Sequence, residues 1–346
     1  MNPYILSIFL LGLGLGTTIT FTSSHWLLAW MGLEINTLAI IPLMAQHHHP
    51  RSIEASTKYF LTQATAAAMI LFASSTNAWI TGQWGINEMS HPMPSTIMML
   101  GLALKIGVAP LHTWLPEVLQ GLDLTTGLIM ATWQKLAPFS LLVQMDLNTS
   151  VMIIMAIMST MVGGWGGLNQ TQLRKILAYS SIAHIGWMIL VLQFSPSLTL
   201  ISLMMYIFMT FSIFSLFKMN KMASINSLAT SWSKSPVITA LTPLILLSLG
   251  GLPPLSGFGP KWMILAELTK QELNTTATIT TMSALLSLYF YLRLSYAMAL
   301  TLSPNTTPVI NQWRFSTKQP TAHLSISTIL SLMLLPLLPS MLIITS

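Results

Sequence analysis

The stretch Gly101–Trp114, "GLALKIGVAPLHTW", decides how the rest of the chain is interpreted, because it places a cation and a helix break in apolar sequence. Lys105 lies among Leu, Ala, Ile and Val, and Gly107 and Pro110 interrupt the helical pattern that precedes His112. Backbone that leaves the helix inside a bilayer must be buried in protein or line a cavity. The stretch therefore predicts a polar interior within an apolar helical bundle.

The composition is that of an integral membrane protein. Of 346 residues, 53% are hydrophobic and only 6% are charged, with a mean hydropathy of +0.69. A typical soluble domain carries about 25% charged residues. The net charge of +6 indicates orientation in a membrane rather than nucleic-acid binding. The chain has no cysteine, which excludes disulfides, thiol chemistry and cysteine-ligated clusters.

About eleven membrane spans are predicted, since a span needs about 20 mainly apolar residues. The first lacks the basic region of a cleaved signal peptide. The predicted spans are 1–22, 25–45, 57–81, 95–118, 123–144, 150–169, 174–194, 198–217, 237–270, 275–300 and 322–344. The fold class is therefore all-α.

Two predicted spans contain interruptions. The interval 237–270 is too long for one straight span, and its centre, "LGGLPPLSGFGPKW" at Leu249–Trp262, includes Pro253 and Pro254. It predicts two half-helices with an unwound middle. The interval 95–118 shows a milder form at Gly107, Pro110 and Pro116.

The lysines and arginines predict the orientation of the chain. Nine lie in or beside the loops on one side of the membrane: Arg51, Lys58, Arg174, Lys175, Lys218, Lys221, Lys234, Arg314 and Lys318. The loops on the other side hold only Lys270. Cationic loops stay on the side from which the chain inserts. The N-terminus is therefore predicted inside, with the loops 46–56 and 217–236, and the C-terminus outside.

Five ionisable side chains are predicted near mid-membrane: Glu34, Lys105, Lys135, His184 and Lys261. Each central charge costs roughly 2.5–3.5 kcal/mol on insertion, so such groups normally face a bundle interior and pair with one another. A structural ion pair, or a core histidine, is the alternative for any single member. Five on five helices predict a polar path through the membrane interior.

The residue types suggest how such a path works. Burial lowers the pKa of a lysine, whereas a nearby carboxylate raises it. Movement of a carboxylate such as Glu34 would then load or release a proton at Lys105. Lys135 and His184 are candidates to pass the proton on, and Lys261 is a candidate to take it to an exit.

The two interruptions also predict an internal repeat. Interrupted spans in corresponding halves mark ion sites in transporters. The predicted units are 1–145 and 146–301, each of five helices, followed by a loop and a final helix in 302–346. A unit with an odd number of spans must invert when repeated in tandem, so an inverted repeat is expected.

Two further motifs are better explained structurally. The glycines of "LGLGLGT" at 11–17 lack the spacing of a nucleotide loop and suit close helix packing. The histidines of "HHHP" at 47–50 have only Glu54 nearby, which favours a solvated loop over a metal site.

Four stretches resemble the NADH–ubiquinone oxidoreductase chain 2 family, whose members are antiporter-like subunits of respiratory complex I. They are "WLLAWMGLEINTLAIIPLM" (26–44), "GLALKIGVAPLHTWLPEVLQG" (101–121), "ATWQKLAPF" (131–139) and "LGGLPPLSGFGPKWMI" (249–264). The resemblance runs from end to end. It implies an inverted five-helix repeat, without three N-terminal helices that bacterial relatives have.

By the same resemblance, Glu34 partners Lys105, Lys135 is a bridging lysine and Lys261 is the terminal lysine. His112 and His184 are similar to histidines of the family's hydrated axis. No redox centre, metal or cofactor is expected in this chain, because NADH, FMN, iron–sulfur clusters and ubiquinone are bound by other subunits.

The family implies a proton-translocating subunit of NADH:ubiquinone reductase, EC 7.1.1.2, in the mitochondrial inner membrane, with the N-terminus in the matrix and the C-terminus in the intermembrane space. Expected partners are other subunits, especially chains 4 and 4L, and lipids such as cardiolipin, but not nucleic acid. The alternatives are a free-standing cation/proton antiporter and an inert membrane scaffold.

Overall fold

The computed structural model describes residues 3–46, 49–145, 148–233, 235–299 and 321–345. Within these ranges the chain forms sixteen α-helices, short 3-10 turns and two isolated β-bridges, with no strand. The all-α class predicted from the sequence is confirmed. The chain divides into two compact units, Met1–Met158 and Ser159–Ser346.

The first unit holds seven helices and the beginning of an eighth. They are α1 (Pro3–Thr22), α2 (Trp26–Met44), α3 (Pro50–Thr81), α4 (Pro92–Ile106), α5 (Trp114–Gly121), α6 (Leu124–Ala131), α7 (Trp133–Gln144) and α8 (Thr149–Gly166). Helix α7 packs against α1, α2 and α4, and α3 packs against α2, α4 and α5. These contacts bring the middle of α2 and α3 close to the end of α4 and the start of α7.

The second unit holds the rest of α8 and eight further helices. They are α9 (Leu173–Leu192), α10 (Pro196–Met219), α11 (Ile225–Ala229), α12 (Pro236–Gly250), α13 (Phe258–Lys270), α14 (Asn274–Ala299), α15 (Ala322–Met333) and α16 (Leu338–Thr345). Helix α9 packs against α10, α13 and α14 and is buried over most of its length. It lies at the centre of this unit.

Both predicted interruptions separate helices, and each begins at a glycine in the left-handed region. Gly107 follows α4 with a φ of 86°, and Gly251 follows α12 with a φ of 80°. Side chains other than glycine are strained in this conformation, which is why glycine commonly ends a helix. The chain resumes as a helix at Trp114 and at Phe258. Pro116, which the sequence placed in an interruption, lies inside α5.

Two spans predicted as continuous are divided. The interval 123–144 breaks at Thr132, whose hydroxyl donates to the Leu128 carbonyl at 2.8 Å. A threonine bonded in this way to the residue four positions earlier often bends a helix. Near the C-terminus, Ala322–Met333 and Leu335–Ile343 meet at 66°, because Pro336 lacks the amide N–H that a continuous helix uses.

The predicted inner loop 46–56 is shorter than expected. Helix α3 begins at Pro50, and His49 Nδ1 accepts a hydrogen bond from the Arg51 amide at 3.2 Å. His49 therefore caps a helix. Several predictions fall outside the described residues, namely those for His47, His48, Lys234, Arg314 and Lys318.

Five described helices, α1, α2, α8, α9 and α10, are long and apolar enough to cross a membrane, and the bent pair near the C-terminus would add a sixth. Helices α4 and α12 are apolar but shorter, because each ends at an interruption. Large apolar side chains lie exposed on the described surface, for example Ile8, Trp79 and Met282. Such a surface suits lipid rather than water.

Candidate functional site

The first unit contains a cavity that two lysines share. Lys105 reaches it from the last turn of α4, and Lys135 from the first turn of α7. The other polar lining residues are Asn36, Thr37, Tyr59, Gln63 and Gln134. The cavity is large enough for a water molecule, and a polar lining is what holds water inside a protein. The structure thus brings two of the predicted site residues together.

Lys105 is a buried cation without a direct counter-ion contact. Its side chain is 7% exposed, and Nζ has no hydrogen-bond partner in the described part of the chain. Glu34 is close enough for its charge to act on Lys105. The two groups are therefore coupled through space, and a small movement of either would change the free energy of the charged lysine.

Thr37 connects Glu34 to the cavity. Its hydroxyl lies 2.8 Å from the Glu34 carbonyl oxygen and 3.0 Å from Glu34 Oε2. A hydroxyl has one proton to donate and two lone pairs to accept with. Because Thr37 also lines the cavity, it can hold the carboxylate in place or pass a hydrogen bond from the cavity to it.

Lys135 owes its position to the break at Thr132. It is the third residue of α7 and is 6% exposed. The neighbouring Gln134 donates from Nε2 to the Asn36 carbonyl at 3.5 Å, which joins α7 to α2. Without the break, these residues would continue the path of α6.

Sequence reasoning missed the uncharged polar residues of the cavity. Asn36 is 2% exposed, and neither end of its amide has a hydrogen-bond partner within the described ranges. The same holds for Nε2 of Gln63. A buried amide without a hydrogen-bond partner destabilises the folded protein unless a water molecule or another polar group supplies the missing hydrogen bonds. Their mid-helix positions were a usable signal, since polar groups deep in a membrane are usually functional.

His112 does not line this cavity. It lies in the interruption between α4 and α5 and is partly buried. A hydrogen bond holds the two ends of the interruption together, because Trp114 Nε1 at the start of α5 donates to the Leu104 carbonyl near the end of α4 at 3.1 Å. His112 is thus near Lys105 along the chain, on the far side of the break.

In the second unit, Lys261 lies against the interruption that follows α12. Its Nζ donates to the Gly250 carbonyl oxygen at 2.8 Å. A methyl group on Gly251 would lie 2.8 Å from Lys261 Cδ, so the glycine leaves room for the lysine. A carbonyl released by a helix end accepts a cation well, because the last carbonyls of a helix lack intrahelical partners.

His184 lies midway along α9 in the same unit. Its ring centroid is 5.5 Å from that of Tyr206 on α10, and the two planes meet at 44°. The histidine is partly buried. It therefore lies at a packed contact between helices.

An ion-pair cluster at the surface of the first unit is structural. Lys58 Nζ lies 2.7 Å from Glu54 Oε1 and 2.8 Å from Glu117 Oε2. The hydrogen bond from Lys58 holds the pKa of Glu54 below its ordinary value. All three side chains are exposed, so the cluster adds little to stability. It does link α3 to α5, beyond the interruption.

The described residues offer no group of three or more His, Asp or Glu side chains that could hold a metal ion.

Comparison with known proteins gives the family. Residues 23–287 match the model of the membrane domain of NADH:quinone oxidoreductases and Mrp antiporters, and residues 288–342 match the C-terminal model of NADH dehydrogenase subunit 2. NADH-ubiquinone oxidoreductase chain 2 of Tetraodon nigroviridis is 67% identical over 99% of both chains. The Salmo salar chain of that name is 68% identical over 98% of both.

Solved structures agree. The chain resembles a chain of respiratory complex I from Thermus thermophilus, with 27% identity and a TM-score of 0.87 over 99% of this chain and 80% of that one. A chain of the Mrp complex from Dietzia shares the fold, with 14% identity and a TM-score of 0.76 over 95% and 74%. This chain belongs to the NADH-ubiquinone oxidoreductase chain 2 family of antiporter-like membrane proteins.

Proposed function

We propose that this chain is a proton-translocating membrane-arm subunit of respiratory complex I, the NADH:ubiquinone reductase. It contributes to proton transport that is coupled to NADH oxidation and ubiquinone reduction. Family membership supports the assembly and the overall reaction. One observation carries the role of the chain itself: two buried lysines, Lys105 and Lys135, share a polar cavity beside a helix break.

In the first unit, the proton is held at Lys105 or Lys135. Glu34 favours the charged form of Lys105, and Thr37 steers the carboxylate. The amides around the cavity can orient water between the two amines. A change in the position of Glu34 would then shift the proton from one lysine towards the other.

In the second unit, His184 receives the proton and Lys261 releases it. The contact between Lys261 and the helix end at Gly250 supports the uptake of the proton that precedes its release, because the carbonyl stabilises the ammonium form. The order of the groups, with Lys135 before His184, rests on residue type and on the family resemblance. His112 is proposed as a further group of the hydrated path beyond Lys105.

The proposed fold is an inverted repeat of two five-helix units with about eleven spans. The units are 1–145 and 146–301, followed by 302–346. It is supported by the likeness of the two interruptions, each of which begins at a left-handed glycine, Gly107 or Gly251, and has a buried or part-buried lysine near it.

The chain is proposed to lie in the mitochondrial inner membrane, with its N-terminus in the matrix and its C-terminus in the intermembrane space. The proposed neighbours are chains 4 and 4L of the complex, with cardiolipin among the lipids. NADH, FMN, iron–sulfur clusters and ubiquinone are assigned to other subunits, so this chain has no redox residue.

The test compares Lys105→Met with Lys270→Met in purified complex I. Lys105 is buried, whereas Lys270 is 72% exposed in a pair with Glu267. Both variants should assemble with the redox subunits and oxidise NADH by way of artificial acceptors. Only Lys105→Met should lose NADH-driven proton transport in liposomes.

Two results would contradict the proposal. Normal proton transport by the assembled Lys105→Met complex would show that Lys105 takes no part in transport, and would favour an inert scaffold role for the chain. Isolation of the chain as a free-standing transporter, without redox subunits, would instead favour a separate cation/proton antiporter.

A further inference from the structure

Two loops of the first unit are joined by a pair of reciprocal backbone hydrogen bonds. The amide of Trp26, the first residue of α2, donates to the Trp84 carbonyl at 3.1 Å. In return, the Ile86 amide donates to the Ser24 carbonyl at 3.1 Å. The segments 24–26 and 84–86 form the first clasp. It satisfies an N–H that has no partner inside its own helix, since the first amides of a helix never do.

The second unit contains a clasp with the same pattern. The amide of Leu173, the first residue of α9, donates to the Ala223 carbonyl at 3.2 Å. The Ile225 amide donates to the Thr171 carbonyl, also at 3.2 Å. The segments 171–173 and 223–225 form the second clasp. Each unit therefore ties the start of one helix to a distant loop by two bonds in the same arrangement.

Further contacts hold each clasp in place. In the first, the rings of His25 and Trp84 are stacked, with centroids 5.6 Å apart and planes 9° from parallel. In the second, the Ser227 hydroxyl oxygen accepts from the amides of Ala223 and Ser224 at 3.1 Å and 3.0 Å. The clasps are thus rigid parts of the loops in which they lie.

Each clasp joins two helices that carry features of the proposed path. The first ties the start of α2, which carries Glu34, to the segment that leads into α4, which carries Lys105. The second ties the start of α9, which carries His184, to the segment that leads through α11 into α12. Helices α4 and α12 end at the interruptions that begin with Gly107 and Gly251. Each helix is therefore tied near its beginning and interrupted at its end.

We propose that the two clasps are fixed points of the transport cycle, which stay closed while α4 and α12 move at the ends that meet Gly107 and Gly251. The inference rests on the proposed function. Hinges in proteins are commonly a few residues at the ends of helices or in loops, as these interruptions are. A closed first clasp keeps α2 in register with α4, and so holds the helix of Glu34 beside the helix of Lys105.

A proline at Ile86 or Ile225 would open one clasp bond and spare the local helix. Ile86 is the first residue of a 3-10 turn and Ile225 is the first residue of α11. Proline lacks the amide N–H but is well tolerated at a first helical position. The preceding Gly85 and Ser224 already have the extended backbone that a following proline requires. The matched controls Ile86→Ala and Ile225→Ala shorten the same side chains and keep the amides.

Each clasp can also be locked, because the chain has no cysteine of its own. The antiparallel bridges pair His25 with Gly85 and Gln172 with Ser224. Opposed residues that exchange no hydrogen bonds, as these do not, have Cα atoms about 4.5 Å apart. This separation lies within the range of about 4.4–6.8 Å that a disulfide spans. Cysteine pairs at these positions would be closed with a mild oxidant and opened with a reductant, with single-cysteine variants as controls.

Proton transport and NADH oxidation are measured in reconstituted complex I, per amount of assembled complex. Ile86→Pro and Ile225→Pro should transport roughly two- to tenfold fewer protons per NADH, the scale that one net hydrogen bond sets. The alanine controls and both locked pairs should match the wild type. Ile86→Pro combined with His25→Cys and Gly85→Cys should recover transport when oxidised and lose it when reduced. A folding defect would not respond to the disulfide in this way.

Two results would overturn the proposal. Reversible loss of transport when either disulfide closes would mean that the clasp has to open, and wild-type transport in both proline variants would mean that it is not needed. Should a proline variant not assemble, the locked pair decides alone by the same criterion.

A parallel Lys105→Met variant separates the clasps from the function on which they rest. Its loss of transport, with wild-type transport in both proline variants, overturns the clasps and leaves the proposed function standing. Full transport in Lys105→Met overturns the proposed function, and with it the role of the first clasp.

Discussion

Lys261 donates a hydrogen bond from Nζ to the carbonyl oxygen of Gly250 at 2.8 Å, so the lysine is held by the end of the helix that precedes its own. The adjacent Gly251 makes this contact possible, because it turns the chain with a φ of 80° and leaves space for the lysine side chain. The break and the lysine therefore form one structural unit.

The first prediction concerns Gly251→Ala. A methyl group there would lie 2.8 Å from Lys261 Cδ and 3.0 Å from Nζ, so the lysine must move. The left-handed backbone adds a strain of about 1–2 kcal/mol. We expect assembled complex with strongly reduced proton transport, measured in liposomes.

Gly82→Ala is the matched control for that experiment. Gly82 also ends a helix with a positive φ, 75°, but a methyl group on it would meet nothing within 4 Å. It should cost the same backbone strain, seen as a small loss of thermal stability, without loss of transport. Equal loss of transport in both variants would attribute the effect to strain alone.

The two interruptions could be predicted because their causes are local. Gly107 and Gly251 adopt conformations that favour glycine, and prolines follow each of them. The break at Thr132 could not be predicted, since other threonines of the chain, such as Thr62 in α3, lie within continuous helices. The hydroxyl of Thr132 bonds back to the Leu128 carbonyl, but Thr210 makes the same bond to Tyr206 inside the continuous helix α10, so the bond alone does not predict a break.

The candidate site was predictable only in part for a similar reason. Charged residues such as Lys105 and Lys135 are conspicuous in apolar sequence, and their predicted position near the middle of the membrane suggests a functional role. Which helices meet is decided by packing of side chains far apart in sequence, as when α7 joins α2 through Gln134. The cavity amides become significant only through those contacts.

The second prediction tests the link between Glu34 and the cavity. Thr37→Val keeps the shape of the side chain but removes the hydroxyl that lies 3.0 Å from Glu34 Oε2. We expect coupled proton transport to fall several-fold, since a hydrogen bond to a charged group is worth about 1.5–3 kcal/mol. Thr37→Ser should restore it.

Thr17→Val provides the comparison for Thr37. Thr17 is 3% exposed, and among the described residues its hydroxyl bonds only to carbonyls of its own helix, at Leu13 and Gly14. Its loss should leave transport unchanged. Normal transport in Thr37→Val would show that the carboxylate is positioned by other groups.

The third prediction concerns orientation. Lys221 and Lys270 are both exposed in the structure and lie in loops predicted to face opposite sides of the membrane. A membrane-impermeant amine reagent should label Lys221 only in inverted inner-membrane vesicles and Lys270 only in mitoplasts. Mass spectrometry of the labelled chain gives the answer. Labelling of Lys221 in mitoplasts would reverse the predicted topology.

The last prediction asks whether Lys105 and Glu34 act as one switch. Lys105→Met removes the amine but keeps apolar bulk in the buried site, and Glu34→Gln removes the charge that acts on it. Each single variant should assemble and lose most of its coupled proton transport. Interacting groups give non-additive effects, so the double variant should be little worse than either single one. Proton transport per NADH oxidised, measured in liposomes for all four proteins, completes the cycle. If the loss of transport in the double variant instead equals the product of the two single losses, Glu34 and Lys105 act independently. The carboxylate and the amine would then serve separate proton paths.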